Sequence, residues 1–598
     1  MSSRKTEPQA ADPGVPRGAA TGLWIVAGLL VALRAVLAFE PNMWGWGLSL
    51  LRFVPPLLGW FGWALAALAL IPAVSRRVAP GLRWLGDLSR HRLGWASTLW
   101  AGAAAALVWW LPDRVHFVGD FLLRFGTAER ALEPARLFPQ ALPLDVFLHY
   151  TLPRRLGDWF ALDVLTTSRL LGLLEAASLG ALAVQFSRVL DLRGIPSLAA
   201  SGTVLFGGYL GMYTGYGKAT AEMAVLTAGA GVLGLRALVD PRALLPLGFL
   251  VAGSLTLHRS ALGLLPALVL AFGLAARSSP AGTLRTARAW LPLAAPGLAL
   301  ALLLPRIVST ILTWDPVHFA SAEVQSEGGL LRATWAGTRP VDLVNLLVLL
   351  SPLAPAAAAA AVADPRRLRS REVALLAIAA LPWFLAVLLV HGSQGMFRDW
   401  DNFAPAGVAA SLLSAWLIGG ILTRAPDWEW LGVAVLIGTA VPATQWLLHN
   451  SDVDRGLSRV EALMREPPRR TDRERGTTWD FLGIRYAQLG LWQSSAEALA
   501  HAAETAASPR VLLQWGMAEQ AAGNARAAQQ VYHRLLELQP NDSRGWLGLA
   551  IVSWNLGDRD ECRRAALEVR RRLPADPDAK RLLEMVAQTE STDVRPSP

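Results

Sequence analysis

The sequence predicts an all-α protein, a polytopic helical membrane domain of about thirteen spans followed by a soluble α-solenoid of helix hairpins. Three observations predict it. The 598 residues are 53% hydrophobic with a mean hydropathy of +0.35, which excludes an ordinary soluble protein. Apolar runs are separated by short loops that are alternately rich and poor in arginine. Residues 477–574 repeat with a period of about 34, the length of a tetratricopeptide repeat.

The polar stretch 1–21 carries Arg4, Lys5 and Arg17 and lacks the compact n-region and cleavage site of a signal peptide, so the run after it reads as a retained span. The membrane domain covers 22–450. Its expected spans are 22–39, 50–74, 95–112, 161–187, 196–213, 219–238, 242–257, 260–276, 288–308, 341–363, 372–391, 404–423 and 429–448. The even loops hold Arg76, Arg77, Arg83, Arg90 and Arg92, then Arg188 and Arg193, Arg236 and Arg242, Arg277, Arg285 and Arg288, and Arg366, Arg367, Arg369 and Arg371. Cytoplasmic loops collect arginine, so these are expected inside and the loops 113–160, 214–218, 258–259, 309–340 and 391–403 outside, in a bacterial inner membrane. Parity puts the C-terminal part outside as well, although the arginines of the basic linker 451–476 favour the other side.

The solenoid is expected over 477–587, with 588–598 a disordered tail. Trp479, Leu482, Gly483 and Tyr486 fit the W-x-x-L-G-x-x-Y pattern, Gly490, Gly523 and Gly557 recur at the turns, and Pro540 and Pro574 close repeats. Such arrays present a surface to a protein partner, or pack as a lid.

Several chemistries are excluded. The single cysteine, Cys562, leaves no internal disulfide and no cysteine-built metal site. No H-x-x-x-H or H-E-x-x-H spacing occurs, so no metal site is expected, and a divalent metal is not indicated. No Walker A, nucleophile elbow or Rossmann fingerprint appears. The net charge of +10 reads as membrane topology, because no basic stripe interleaved with aromatics points to nucleic acid.

Polar clusters on the expected outer side are the functional candidates, because ionisable groups at a span are costly. The first is Arg114–Asp120 and the loop beyond it, with His116, Asp120, Arg124, Glu129, Asp145 and His149. Asp120 precedes apolar Phe121, Leu122 and Leu123, an environment that raises carboxylate basicity and suits a general base; the alternative is a helix cap or a salt bridge to Arg124. The second cluster runs from Gly207 to Lys218 and on to Glu222. Its tyrosines Tyr209, Tyr213 and Tyr216 can line a sugar or headgroup site, and Lys218, one of three lysines, can meet phosphate. The alternative is a tyrosine anchor with a Lys218–Glu222 pair. The third is His258-Arg259-Ser260, read as a phosphate contact or as snorkelling side chains. The fourth is Phe397-Arg398-Asp399-Trp400-Asp401-Asn402-Phe403, read as a charged substrate site or as an aromatic belt with a local Arg–Asp pair. The loop from Trp314 and Asp315 through His318 to Glu327 reads as a lid.

With an acidic residue in the first large outer loop, many spans and a C-terminal soluble domain, the chain resembles the GT-C glycosyltransferases. The attached repeats are similar to those of eukaryotic members of the protein O-mannosyltransferase branch. The resemblance implies an inverting transferase whose donor is a polyprenyl-phosphate sugar. Asp120 would take the proton of an acceptor hydroxyl on a protein or glycan, and Lys218, Arg259 and Arg398 would stabilise the departing lipid phosphate. His116, Tyr216, Glu222, His258, Asp399 and Asp401 would hold substrate, and membrane lipid would surround the donor's tail. Two other classes are weighed against it. A lipid-linked glycan flippase would use the same clusters as a path, but the charges gather at one face. A non-catalytic anchor displaying the repeats draws support from Asp120 being a lone acid where the family often carries two.

Overall fold

The computed structural model describes residues 14–117, 121–129, 133, 138–278 and 287–593. Among the described residues every regular element is helical and none is a strand. The chain divides into two compact units, Met1–Arg459 and Val460–Pro598.

The first unit is built from α1 (Gly14–Phe39), α2 (Pro56–Ala69), α3 (Pro72–His91), α4 (Leu93–Trp110), α5 (Phe121–Glu129), α6 (Leu152–Phe160), α7 (Val164–Val189), α8 (Gly194–Leu205), α9 (Ala219–Ala237), α10 (Leu244–Leu257), α11 (Leu265–Ser278), α12 (Ala287–Thr313), α13 (Arg339–Leu350), α14 (Ala354–Ala363), α15 (Arg371–Leu389), α16 (Ala404–Arg424) and α17 (Leu431–Ser451). Helices are what apolar sequence must form in hydrocarbon, where each backbone N–H and C=O needs a partner inside its own segment. Seven helices are long and apolar enough to cross a membrane, and ten segments qualify if each of three bent pairs counts as one. The other three expected spans, at 95–112, 219–238 and 242–257, are helical but shorter or less apolar.

The bends correct the expected topology. The Arg-rich segment 76–92 is not a loop. It is helix α3, turned 93° from α2. Pro72 opens it at a position where a missing N–H costs nothing, and its arginines fall on a polar face that hides the helical period from a search for apolar runs. Arg83 pairs with Glu429 at 2.6 Å and Arg90 with Asp191 at 3.1 Å, which ties α3 to the ends of other helices. The expected span 341–363 is likewise two helices, α13 and α14, bent by 98° around Ser351, Pro352 and Leu353. Span 196–213 breaks by 57° between α8 and the 3₁₀ turn Gly208–Thr214.

At the centre stand α8 and α16. Every residue of α8 is buried, as is 89% of the apolar window of α16. Both are rich in alanine, glycine and serine, which lets helix backbones approach closely where lipid supplies no hydrophobic drive. Gly207 and Gly208 abut the backbone of Leu349 and Leu350, so the bend after α13 is packed against the break after α8.

Helix α18 (Val453–Arg465) begins in the first unit and ends in the second, which continues through α19 (Asp472–Gln488), α20 (Trp492–Thr505), α21 (Pro509–Ala521), α22 (Ala525–Leu538), α23 (Ser543–Leu556), α24 (Arg559–Arg572) and α25 (Pro577–Asp593). The expected linker 451–476 is therefore mostly helix, and helix reaches Asp593, into the expected tail, of which 594–598 lie outside the described residues. Thr471 and Glu474 form a reciprocal capping box at the start of α19. Trp479, Leu482, Gly483 and Tyr486 are buried between α19 and α20. Gly490, Gly523 and Gly557 have φ of +74°, +84° and +81°, the left-handed turn that closes each hairpin.

Tyr532 is wedged between Gly516 and Gly548, and a Cβ on Gly516 would lie 2.6 Å from its ring. Gly516→Val should therefore destabilise the repeat unit by about 1–3 kcal/mol through overpacking. Thermal unfolding followed by circular dichroism should show an earlier repeat transition, and an unchanged transition would contradict this packing.

Candidate functional site

The polar segments at one end of α4, α9, α10, α15 and α16 meet, and each is built by local hydrogen bonding. Asp113 follows α4 directly. Its carboxylate accepts the N–H groups of Val115 at 2.8 Å and His116 at 2.9 Å, and the hydroxyl of Tyr216. This turn holds His116 at φ +58°. The Arg114 N–H donates to the Asn450 carbonyl at 2.9 Å. Arg398 donates from Nε to the Phe117 carbonyl at 3.2 Å, with its guanidinium 5.2 Å from the Phe117 ring. The stretch Asp113–Phe117 is thus held by three later segments, at Tyr216, Asn450 and Arg398. Asp120 lies outside the described residues, three positions beyond that anchor.

Lys218 does not pair with Glu222. Its Nζ donates to Asp401 and, at 3.1 Å, to Asn402 Oδ1. Asp401 is fully buried, and its second oxygen has no donor among the described residues. Asp399 accepts the Gln394 N–H at 2.8 Å. Burial, then repulsion from Asp401, pushes the Asp399 carboxyl up to about 7, against the pull of the Gln394 N–H, Lys218 and Arg398. Among the described residues no hydrogen bond joins Arg398 to its neighbour Asp399, and the Arg398 Nε donates to Phe117.

Arg259 forks onto Asp315, with Nε–Oδ2 at 2.9 Å and Nη2–Oδ1 at 2.5 Å. That bidentate geometry uses the face by which arginine would grip a phosphate. His258 caps the following turn through Ser260, and burial, then Arg259, pushes its imidazole down to about 3, so it is neutral. These residues line a cavity of about 320 Å³ together with Thr220, His318, Trp383 and Asn402, over an apolar floor that includes Phe403. Among the described residues the buried Thr220 hydroxyl and Trp383 indole N–H meet no hydrogen-bond partner.

Glu222 belongs to another network. His149 sits with both ring nitrogens on carboxylates, Nδ1 on Asp145 at 2.7 Å and Nε2 on Glu222 at 3.0 Å, and Arg124 forks onto Asp145 at 3.2 and 3.4 Å. Arg124 thus pairs with Asp145, while the expected alternative pair of Arg124 with Asp120 involves a residue outside the described ones. Burial opposes charge on His149, but Glu222 and Asp145 outweigh it and raise the imidazole from 6.5 to about 9. Asp145 is well below the usual carboxylate range. Its burial acts the other way and is overcome by Arg124 and His149.

The site therefore gathers Tyr216, Lys218, Arg398, Asp399 and Asp401, sets His258 and Arg259 on an adjoining cavity, and puts Glu222 behind them. Tyr209, Tyr213 and Tyr216 are buried. Sequence reasoning missed Asp113 and Glu175. A carboxylate two residues before the backbone N–H groups it accepts was a readable turn signal for the first, and a lone acid inside an apolar run for the second. Among the described residues no group of three or more histidine, cysteine, aspartate or glutamate side chains could hold a metal ion.

The tetratricopeptide repeat family matches residues 520–586. No curated protein matches the chain. Among solved structures, the TPR domain of P58(IPK) aligns at 12% identity over 76% of this chain and 100% of its own, with a TM-score of 0.19. The APC/C hetero-tetramer Cut9-Hcn1 aligns at 13% identity over 73% of this chain and 92% of its own, with a TM-score of 0.21. The C-terminal repeats stand on the matched residues and on the hairpin geometry of α19 to α24.

Two outcomes follow from the ion pairs. Lys218→Met leaves Asp401 buried without its counter-ion and should cost ~3–5 kcal/mol, read as a lower melting temperature in detergent. For His149 the folded pKa lies above the unfolded one, so its contribution is whole below 6.5 and lost as pH rises through about 9. Stability of the wild type should fall across that window, and His149→Gln should flatten the fall. An equal slope in both would show that His149 is not the titrating group.

Proposed function

We propose that the membrane unit is a glycosyltransferase of the GT-C kind that moves a sugar from a polyprenyl-phosphate donor to an acceptor hydroxyl on the extracytoplasmic face of a bacterial inner membrane. The observation that carries this reading is the convergence of Asp113–Phe117, Tyr216–Lys218 and Arg398–Asn402 at one end of the helices, beside a cavity walled by Arg259 and His258. A site for a lipid-linked substrate needs a polar pocket at the edge of an apolar bundle.

In the proposed reaction the acceptor oxygen attacks the anomeric carbon, the bond from that carbon to the phosphate oxygen breaks, and Asp120 takes the hydroxyl proton. Configuration inverts in the single displacement, and the polyprenyl phosphate leaves with the electron pair. Lys218 and Arg259 each already hold a carboxylate, so their part is a fixed field around the departing phosphate rather than a free grip. Neutral His258 and Asn402 offer hydrogen bonds to sugar hydroxyls. The repeats present a surface for a protein partner or acceptor, the general use of such arrays. A lipid-linked glycan carrier is the second reading, favoured by the buried acid–histidine chain at Glu222.

With purified full-length protein and a panel of radiolabelled polyprenyl-phosphate sugars, the wild type should transfer sugar and Asp120→Asn should lose about 10²- to 10⁴-fold, the usual worth of a general base. Equal transfer by both would remove Asp120 as the base. Movement of lipid-linked sugar across liposomes without transfer would replace the enzyme by the carrier.

A further inference from the structure

Helix α1, one of the seven able to cross a membrane, carries an arginine on its packed face. Its residues Ile25, Leu29, Leu33 and Val36 are exposed, and Leu23, Ala27, Leu30 and Arg34 are buried. The helical period therefore puts Arg34 on the inward side, about a turn and a half before the end of α1 at Phe39. Arg34 is 6% exposed, so its guanidinium does not snorkel to water. Its Nη1 is buried and meets no hydrogen-bond partner among the described residues. Arg398 and Arg459, also buried, each donate to a backbone carbonyl, at Phe117 and Trp46.

Arg34 lines a cavity of about 20 Å³ between α1, α2, the bend at Pro352 and Leu353, and α17. None of the described residues that line it is acidic. Two other polar side chains border it. The Trp63 indole N–H is satisfied, donating to the Val31 carbonyl at 2.9 Å. Gln445 is buried, and its Nε2 donates to the Gly59 carbonyl at 3.1 Å. A side-chain amide nitrogen carries two hydrogens, so one is left for a ligand. Pro352 and Leu353 lead into α14, whose first turn is the positive end of a helix dipole. Charge at the cavity is thus of one sign, and a cation taken out of water is stable only beside an opposing charge. The space suits one particle close in size to a water molecule, which needs about 10–15 Å³. A water would hydrate Arg34 without neutralising it, and a phosphate headgroup is larger than the space. Room and charge together select a monatomic anion.

We propose that Arg34 and Gln445 form a halide site inside the membrane unit, with chloride as the ligand. Chloride accepts one hydrogen bond from the Arg34 guanidinium and one from the Gln445 amide, and no covalent bond is made or broken. The ion supplies the charge that the cavity lacks and links α1 to α17 beside the bend that joins α13 to α14. The glycosyl transfer proposed above does not use Arg34, so the two stand or fall separately.

Crystals of the full chain grown in sodium bromide test the site. Bromide should give an anomalous-scattering peak beside the Arg34 guanidinium. No peak there, or a lipid headgroup in its place, would overturn the proposal. Thermal unfolding in detergent is the second measurement, with chloride exchanged for gluconate at constant ionic strength. Wild-type melting should rise by about 2–5 °C once chloride reaches about a hundredfold excess over its dissociation constant. Arg34→Leu removes the unpaired charge and continues the apolar stripe of α1, so it should fold and melt alike in both salts. Equal melting of the wild type in both salts would overturn the site, as would the same chloride dependence in Arg34→Leu.

Discussion

Pairing of buried charge is the constraint on which the membrane unit rests. A single ion among packed helices carries a desolvation penalty of several kcal/mol that only an opposing charge with good geometry repays. The unit meets this cost repeatedly at one end. Arg259 lies on Asp315, Lys218 on Asp401, and His149 between Asp145 and Glu222. Apart from Asp145 and His149, four residues apart, each pair joins segments distant in sequence, so the same bonds that neutralise the charges also tie those segments together.

The arginines next to this face do a second job. Arg459 is buried with its guanidinium 4.5 Å from the Phe397 ring and 5.3 Å from Trp446, and it donates to the Trp46 carbonyl at 2.7 Å. The Trp46 indole donates to Asp342 at 2.6 Å, and Phe397 stacks edge-on against Trp46 and Phe117. The result is an aromatic platform beneath Arg398 and the stretch that follows α4. Rigid support of this kind is what positions a polar site more accurately than a loop alone can.

Small residues make the convergence possible. The glycines from Gly207 to Gly217 let chain breaks nest against α7 and against the bend after α13. Gly215 and Gly217 adopt φ of +121° and +49°, which aims Lys218 at Asp401 instead of along its own helix toward Glu222. Side chains at those two positions would be strained as well as crowded. Acid, base and cavity therefore depend on backbone freedom a few residues away.

Composition and period alone determined much of this protein. Apolar runs must become helices where the backbone has no water to bond, and the 34-residue spacing with Trp479, Gly483 and Tyr486 must become hairpins because only that stacking buries them. The places where charge gathers were equally legible, at His258-Arg259, at Lys218 and at Arg398–Asp401, since an ionisable group beside an apolar run stands out. Partnership was not legible. Local spacing suggested Lys218 with Glu222 and Arg398 with Asp399, and tertiary packing chose Asp401 and Phe117. The bends after α2 and α13 escaped for a related reason: hydropathy counts apolar residues along the chain, and the direction of the chain is set by what packs against it.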